Sequence, residues 1–416
     1  MLPPVLEVYV VWHPADGDGA AIAQELVDHF HGTAFTGLIG GAVEVFIRSA
    51  GWRSPTDAPR PIPIASAPPP NGVEQARFTV IVPLMGTEMA AAVEGGQDEW
   101  TAYVEAVSSA QIASPERIAV FPYLMHAGAT DQTRLGGVFG PYQRIAASPP
   151  DETGETAASL RCRDLTQGIT QFLSDVPDAR LTVFISHTKR GKLGDEEDTS
   201  ALIELVRKIV ADTRLNDFFD ANDLQPGRDW DAELRQRAST SALLAIRTDL
   251  YPSREWCQRE VALAKTRGMP VVTMDALDRL EERGSFLMDH VARVPVRIEN
   301  GDWSKKAVYQ ALNLLVNECL KRALWLHQRE LAGDNAKLNV QWWSPHAPEP
   351  LTLVEWLEGA IAHGGRPPAG SQLRILHPDP PLGPEERQVL DQILALGSEG
   401  SALDIMTPRQ LAARGG

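Results

Sequence analysis

The chain has 416 residues, too long for one ordinary core, so roughly two to four domains are expected. It carries 39 Lys and Arg against 55 Asp and Glu, and the net charge of -16 repels phosphate backbones, which argues against broad nucleic-acid binding and leaves room only for a local basic pocket. Hydrophobic residues at 43% and charged residues at 23% are ordinary for a globular protein; no stretch approaches the ~18 consecutive apolar residues of a membrane span; and Cys162, Cys257 and Cys319 lie far apart, which argues against a disulfide framework or a cysteine zinc site and fits a reducing, cytoplasmic compartment.

Residues Met1–Gly19 have no basic leader, and their apolar run ends in acids, so they read as a first strand and not as a signal peptide. Leu6–Trp12 (LEVYVVW) is the β-rich part. A helix follows with Ile22, Leu26, Val27 and Phe30 on one face, then a second strand at Val43–Ile47. Residues 52–72 hold seven prolines between Pro55 and Pro70 and can be neither helix nor central strand. Phe78–Pro83 is a third strand, Glu99–Ala110 a helix and Ile118–Pro122 a fourth strand. Alternating strand and helix predicts a parallel sheet. Gly128–Glu155, rich in Gly, Pro, Ser, Thr and Asp, reads as loop or linker, and Leu160–Leu173 as a connecting helix.

The rhythm then repeats. Leu181–Ser186 (LTVFIS) is a strand, and the next helix carries Leu202, Leu205, Val206, Ile209 and Val210 at helical spacing. Asp217–Asp220, Ala242–Ile246, Val271–Met274 and Val294–Ile298 are strands, Trp256–Thr266 a helix and Lys305–Leu324 a long amphipathic helix. A third stretch, residues 336–416, contains LNVQWW (Leu338–Trp343), a helix near Leu353–Ala362, a strand at Leu373–His377, a helix at Glu385–Leu396 and a strand at Leu403–Met406. The HPDPPLG segment (His377–Gly383) follows a strand, where ligand loops often sit, although the bland reading is a scaffold or dimerisation unit.

The middle stretch carries the chemistry. Strands ending near Ser186, Asp220 and Asp249 place polar groups at the carboxyl edge of a parallel sheet, where open α/β sheets bind ligands. Pro226–Gly227 marks a tight turn in a loop. Glu260 lies one helical turn after Trp256, so indole and carboxylate are expected to face one cleft. An aromatic wall with one carboxylate suits a flat cationic ring attached to ribose.

The text VFISH (Val183–His187), FFDANDLQPGRDW (Phe218–Trp230), LLAIRTDLYPSREWCQREV (Leu243–Val261) and RVPVRI (Arg293–Ile298) resembles, in order and spacing, a Toll/interleukin-1-receptor (TIR) domain. The resemblance covers about a third of the chain. It implies a flavodoxin-like parallel sheet at residues 178–328. With a degenerate TIR-like α/β domain at 1–150, and with a linker with a helix at 151–177 and a small C-terminal α/β unit at 329–416 read from the residue pattern, the expected class is α/β.

In TIR enzymes the glutamate of the Trp–Cys–x–x–Glu segment is catalytic, and here that position is Glu260. The resemblance therefore implies an NAD+ glycohydrolase that releases nicotinamide and ADP-ribose or cyclic ADP-ribose, takes NAD+ as substrate with no cofactor, and acts in anti-phage defence after self-association or a nucleotide or protein trigger. Ser186, His187 and Lys189 would line the pocket, with Asp220, Asp223 and Trp256 also at the substrate. Lys189, Arg190 and Lys192 would meet the pyrophosphate, and the Asp223–Asp229 loop would gate access. The alternative is a non-catalytic TIR scaffold, in which Glu260 is a solvated helix residue and Lys189–Lys192 a solvated turn; a transferase or base-exchange enzyme would use the same site.

The first stretch looks like a diverged relative. Val8–Gly19 occupies the place of Val183–Gly191, and Asp98–Glu105 resembles the start of the Trp-containing helix. Trp100 is followed four residues later by Val104, with Glu105 one place off, so this unit is expected to be inactive and used for assembly or sensing. Gly17-x-Gly19 lacks the third small residue of a dinucleotide fingerprint. Gly37, Gly40 and Gly41 lack the Lys–Ser/Thr of a phosphate-binding loop. His29 and His31, two apart on a helix end, do not share a face, so no metal site is expected.

Overall fold

The computed structural model describes residues 5–32, 34–35, 43–54, 57–63, 76–95, 98–149, 151–174, 181–188, 200–213, 215–219, 241–278, 281, 284–333, 338–364, 368, 370–378, 380–397 and 400–414. The chain divides into two compact units, Met1–Leu173 and Ser174–Gly416.

In the first unit, strands β1 (Leu6–Val11), β2 (Val43–Arg48), β3 (Phe78–Met85) and β4 (Ile118–Val120) form a parallel sheet in the order β2-β1-β3-β4, and the two-residue β5 (Tyr123–Leu124) extends the pairing along β3. All eight residues of β3 are buried, as expected for a central strand covered on both faces. The helices are α1 (Gly19–Phe30), α2 (Thr87–Glu94), α3 (Asp98–Ala113), α4 (Arg134–Phe139) and α5 (Gly154–Phe172).

Two of these differ from the sequence reading. Helix α4 lies inside the segment expected to be loop: Thr133 caps it by accepting from the Gly136 amide at 3.0 Å, and Leu135 and Phe139 are buried. Helix α5 packs on the first unit and is not a free connector. Its Thr166 bonds His29 at 2.9 Å, Arg161 pairs with Glu25, and Phe172 meets Phe78 edge-on. Gly51 and Pro59 form an isolated antiparallel bridge, so part of the proline-rich segment folds back on itself.

The second unit holds a five-stranded parallel sheet of β6 (Thr182–Ser186), β7 (Asn216–Phe219), β8 (Ser241–Arg247), β9 (Val271–Asp275) and β10 (Ala292–Pro295). In order of appearance the strands run 2-1-3-4-5 across the sheet, a doubly wound order whose direction reverses between β6 and β8. Helices α6 (Ser200–Ala211), α7 (Glu255–Thr266) and α8 (Lys305–Gly333) belong to it. Strands β11 (Ile298–Glu299) and β12 (Asp302–Trp303) form a small antiparallel ladder where the sequence predicted a continuing strand.

The same unit contains a three-stranded parallel sheet of β13 (Trp342–Trp343), β14 (Gln372–Leu376) and β15 (Ala402–Met406), with helices α9 (Pro350–Gly364), α10 (Pro384–Gly397) and α11 (Pro408–Ala413). Within LNVQWW the two tryptophans pair with β14, Trp342 opposite Ile375 and Trp343 opposite Leu376. The α/β class is thus observed in both units. Among the described residues no helix is long and apolar enough to cross a membrane.

Candidate active site

Helix α7 buries Cys257, Glu260, Val261, Ala264 and Lys265. These positions follow the i, i+3, i+4, i+7, i+8 spacing of a single helical stripe. The apolar members join Phe184, Leu243, Ala245 and Tyr251 in the core beside β6 and β8. Glu260 is therefore carried inward by the packing of its own helix and is only 5% exposed.

A carboxylate at such depth needs a donor. Ser186, the last residue of β6, supplies one: its Oγ donates to Glu260 Oε2. The Ser186 hydroxyl also lies 2.6 Å from the Tyr251 hydroxyl. A serine has one hydrogen to give, so with that hydrogen on Glu260 the tyrosine is the donor to Ser186. The result is a directed chain, Tyr251 to Ser186 to Glu260, ending on an acid at the carboxyl edge of the sheet where the strand order reverses.

Neighbouring groups report the same environment. Burial, followed by the Glu260 carboxylate, pushes the Cys257 thiol up to about 12. Burial above all, and then Cys257, raises the Tyr251 phenol well above its ordinary range, so the phenol keeps its proton as a donor. Cys257 Sγ donates to the His187 carbonyl at 3.8 Å, which pins α7 to the chain leaving β6. Thr188 and Thr248 join the loops after β6 and β8 through their hydroxyls at 3.2 Å.

The remaining expected residues are placed as follows. His187 is half-buried, with Nδ1 3.2 Å from the Thr188 carbonyl. Trp256 is 45% exposed at the start of α7, with the Arg259 guanidinium 6.0 Å from its ring centroid. It is neither core nor on the stripe that buries Glu260. Asp249 accepts from the Asp278 amide at 3.1 Å. Lys189, Arg190, Lys192, Asp220, Asp223 and the Asp223–Asp229 loop with Pro226–Gly227 lie outside the described residues. Tyr251 was not singled out from sequence. Its signal was a tyrosine a few residues after a fully buried strand, where a phenol must find a partner.

The corresponding edge of the first unit is built differently. Asp16, in the loop after β1, is buried and accepts from the amides of Glu88 at 2.9 Å and Met89 at 3.0 Å at the start of α2. A Cβ on Gly86 would lie 2.2 Å from that carboxyl group, so the close approach requires glycine. Trp100 is buried against the His13 ring at 5.1 Å, Val104 is buried beside it on α3, and Glu105 pairs with Arg134 at the surface. Among the described residues no group of three or more His, Cys, Asp or Glu side chains is arranged to hold a metal ion.

No family model and no curated protein matches the chain. Among solved structures, a protein of Silicibacter pomeroyi provisionally assigned as a phosphosugar isomerase aligns at 12% identity over 80% of this chain and 88% of its own. The TM-score of that alignment is 0.17, which carries no argument about fold or activity.

Proposed function

We propose that the second unit is a TIR-type NAD+ glycohydrolase with Glu260 as its catalytic acid residue. The observation that carries the reading is the buried Glu260 carboxylate, which accepts from the Ser186 hydroxyl at the carboxyl edge between β6 and β8. The 2-1-3-4-5 strand order is the flavodoxin-like one that the resemblance implies, and the first and third strands flank its ligand crevice.

The chemistry follows from the charge. The bond between ribose C1′ and the nicotinamide nitrogen breaks with both electrons leaving on nicotinamide, which departs neutral. The ribose is left as an oxocarbenium ion. A carboxylate in a site poor in water stabilises that cation, and such a group is worth about 3–4 kcal/mol in the transition state. Water then adds to C1′ and loses a proton, giving ADP-ribose; an adenine nitrogen of the same molecule would give the cyclic product. In this reading Glu260 exchanges its Ser186 hydrogen bond for the ribose, and Tyr251 keeps Ser186 in place. Self-association and an anti-phage effector role belong to the same proposal.

The test is incubation of the purified full chain with NAD+, with nicotinamide and ADP-ribose followed by chromatography over a range of protein concentrations. Equimolar release of both is expected. No release from a sample shown by light scattering to be assembled would leave the non-catalytic scaffold.

A further inference from the structure

The buried stripe of α7 holds a second charge that the proposed reaction does not use. Lys265 donates to the Asp289 carbonyl at 2.7 Å and to Glu349 at 2.9 Å, and it lines a cavity of about 300 Å³ within the second unit. One wall of this cavity is the carboxyl edge of the small parallel sheet: Pro345, His346 and Ala347 follow β13, and Pro378 and Pro380 follow β14. That is the edge at which parallel α/β sheets take ligands. The HPDPPLG segment, which no motif assigns, supplies part of it. The opposite side comes from the turn between α7 and β9 and from α8.

The lining is basic in an acidic chain. Lys265, Lys321 and Arg322 line it with two carboxylates, Glu318 and Glu349; Lys265 pairs with Glu349 at 2.9 Å and Lys321 with Glu318 at 2.8 Å, so the lining keeps an excess of one positive charge in a chain that carries -16. The His346 ring reads the field: burial first, then Arg322, Lys265 and Lys321, push it down to about 4. Burial, the larger cause, disfavours any charge on the ring, and the three neighbouring cations add to it. The neutral ring remains able to donate one hydrogen bond and accept another. Prolines and Ala347, with Met269 and Val271 opposite, offer apolar contact for a non-polar body.

We propose that this cavity is a binding site for a small phosphate monoester. Arg322 meets the phosphate, Lys321 joins it by exchanging its contact with Glu318, and the proline-lined wall takes the organic part. At about 300 Å³ the site lies at the lower end of ligand cavities, in the range of a small phosphate ester. Its lining includes none of Ser186, Tyr251 and Glu260, so it is distinct from the site near Glu260, and it stands whether or not the chain cleaves NAD+. Helix α7 contributes Glu260 to one site and Lys265 to the other, so a ligand here contacts the helix that bears the candidate acid.

The experiment is calorimetric titration of the full chain at neutral pH and constant ionic strength, with AMP and with inorganic phosphate as separate probes. AMP is expected to saturate at one site per chain, with phosphate binding more weakly at the same site. Arg322→Gln and Lys321→Gln should each weaken AMP by about tenfold or more, the size of a lost charge-assisted contact. Ala347→Phe fills the cavity without changing its charge and should do the same. Circular dichroism of each variant establishes that it is folded. Amide exchange on the unaltered protein gives a reading independent of any substitution: AMP should protect residues 344–349. The proposal is overturned if neither probe saturates, if folded variants bind as the wild type does, or if binding heat comes without protection at 344–349.

Discussion

Each unit has its own parallel sheet whose strand order reverses between its first and third strands, and each buries an acid there in a different way. In the first unit the acid is Asp16 on the strand side, satisfied by two backbone amides at the start of α2. Those donors cannot turn away without unwinding the helix, so the carboxylate is a structural cap, and the indoles of Trp12 and Trp100 are buried in the same unit. In the second unit the acid is Glu260 on the helix side, and one of its donors is the rotatable Ser186 hydroxyl. A side-chain hydroxyl can turn to another acceptor more cheaply than a helix amide can. A buried acid at a sheet edge is thus read through its donors: fixed amides make a clamp, and a rotatable hydroxyl makes an exchangeable contact, which is what the proposed reaction requires.

Several substitutions sharpen or break this contrast. The largest effect is expected from Val104→Glu, which places on α3 the acid that the first unit lacks. Nothing in the apolar surroundings of Val104 prepares for a charge, so the substitution should destabilise the chain by about 3 kcal/mol or more and create no activity, as read by denaturant melts and nicotinamide assay. A stable, more active variant would erase the distinction. Asp16→Ala should cost about 2 kcal/mol by leaving two amides at the start of α2 without their acceptor, with nicotinamide release per folded molecule unchanged. Ser186→Ala should lower nicotinamide release by about tenfold, because Glu260 loses a hydroxyl donor and Tyr251 a hydroxyl partner. A rate equal to wild type would show that the hydroxyl chain has no part in the reaction.

The smallest effect concerns pH. Burial holds His29 down to about 4, below its ordinary 6.5, at the contact between α1 and α5. A depressed histidine contributes stability that is present above 6.5 and is lost as pH falls through about 4. Acid melts of His29→Asn should therefore lose less stability across that window than the wild type.

Strand positions and the order of elements were legible because buried parallel strands are continuous apolar runs, as in FTVIVP and LLAI. Helix α5 was legible as a helix but not as part of the first unit, since its partners Glu25, His29 and Phe78 are remote in sequence. Glu260 was identified by its place beside Trp and Cys. Its burial was also readable, because Cys257, Val261 and Ala264 define an apolar stripe with Glu260 and Lys265 on it. The expected pairing of Trp256 with Glu260 rested on i, i+4 spacing alone. Spacing gives the side of a helix but not how far the core extends around it, and Trp256 falls beyond the buried edge. The Ser186–Tyr251 contact spans 65 residues, and no local pattern encodes it.

The central claim, that one movable-donor carboxylate in the second unit does the chemistry, is tested most directly by comparing nicotinamide release from the wild type, Glu260→Gln and Glu105→Gln in the full chain. The substitution at Glu260 keeps the side chain's shape and should lower the rate by about 10²–10³-fold, while the one at Glu105, an exposed partner of Arg134, should leave it within about twofold of the wild type, the range expected for an exposed ion pair. Equal rates for all three, or a loss that follows Glu105, would contradict the account.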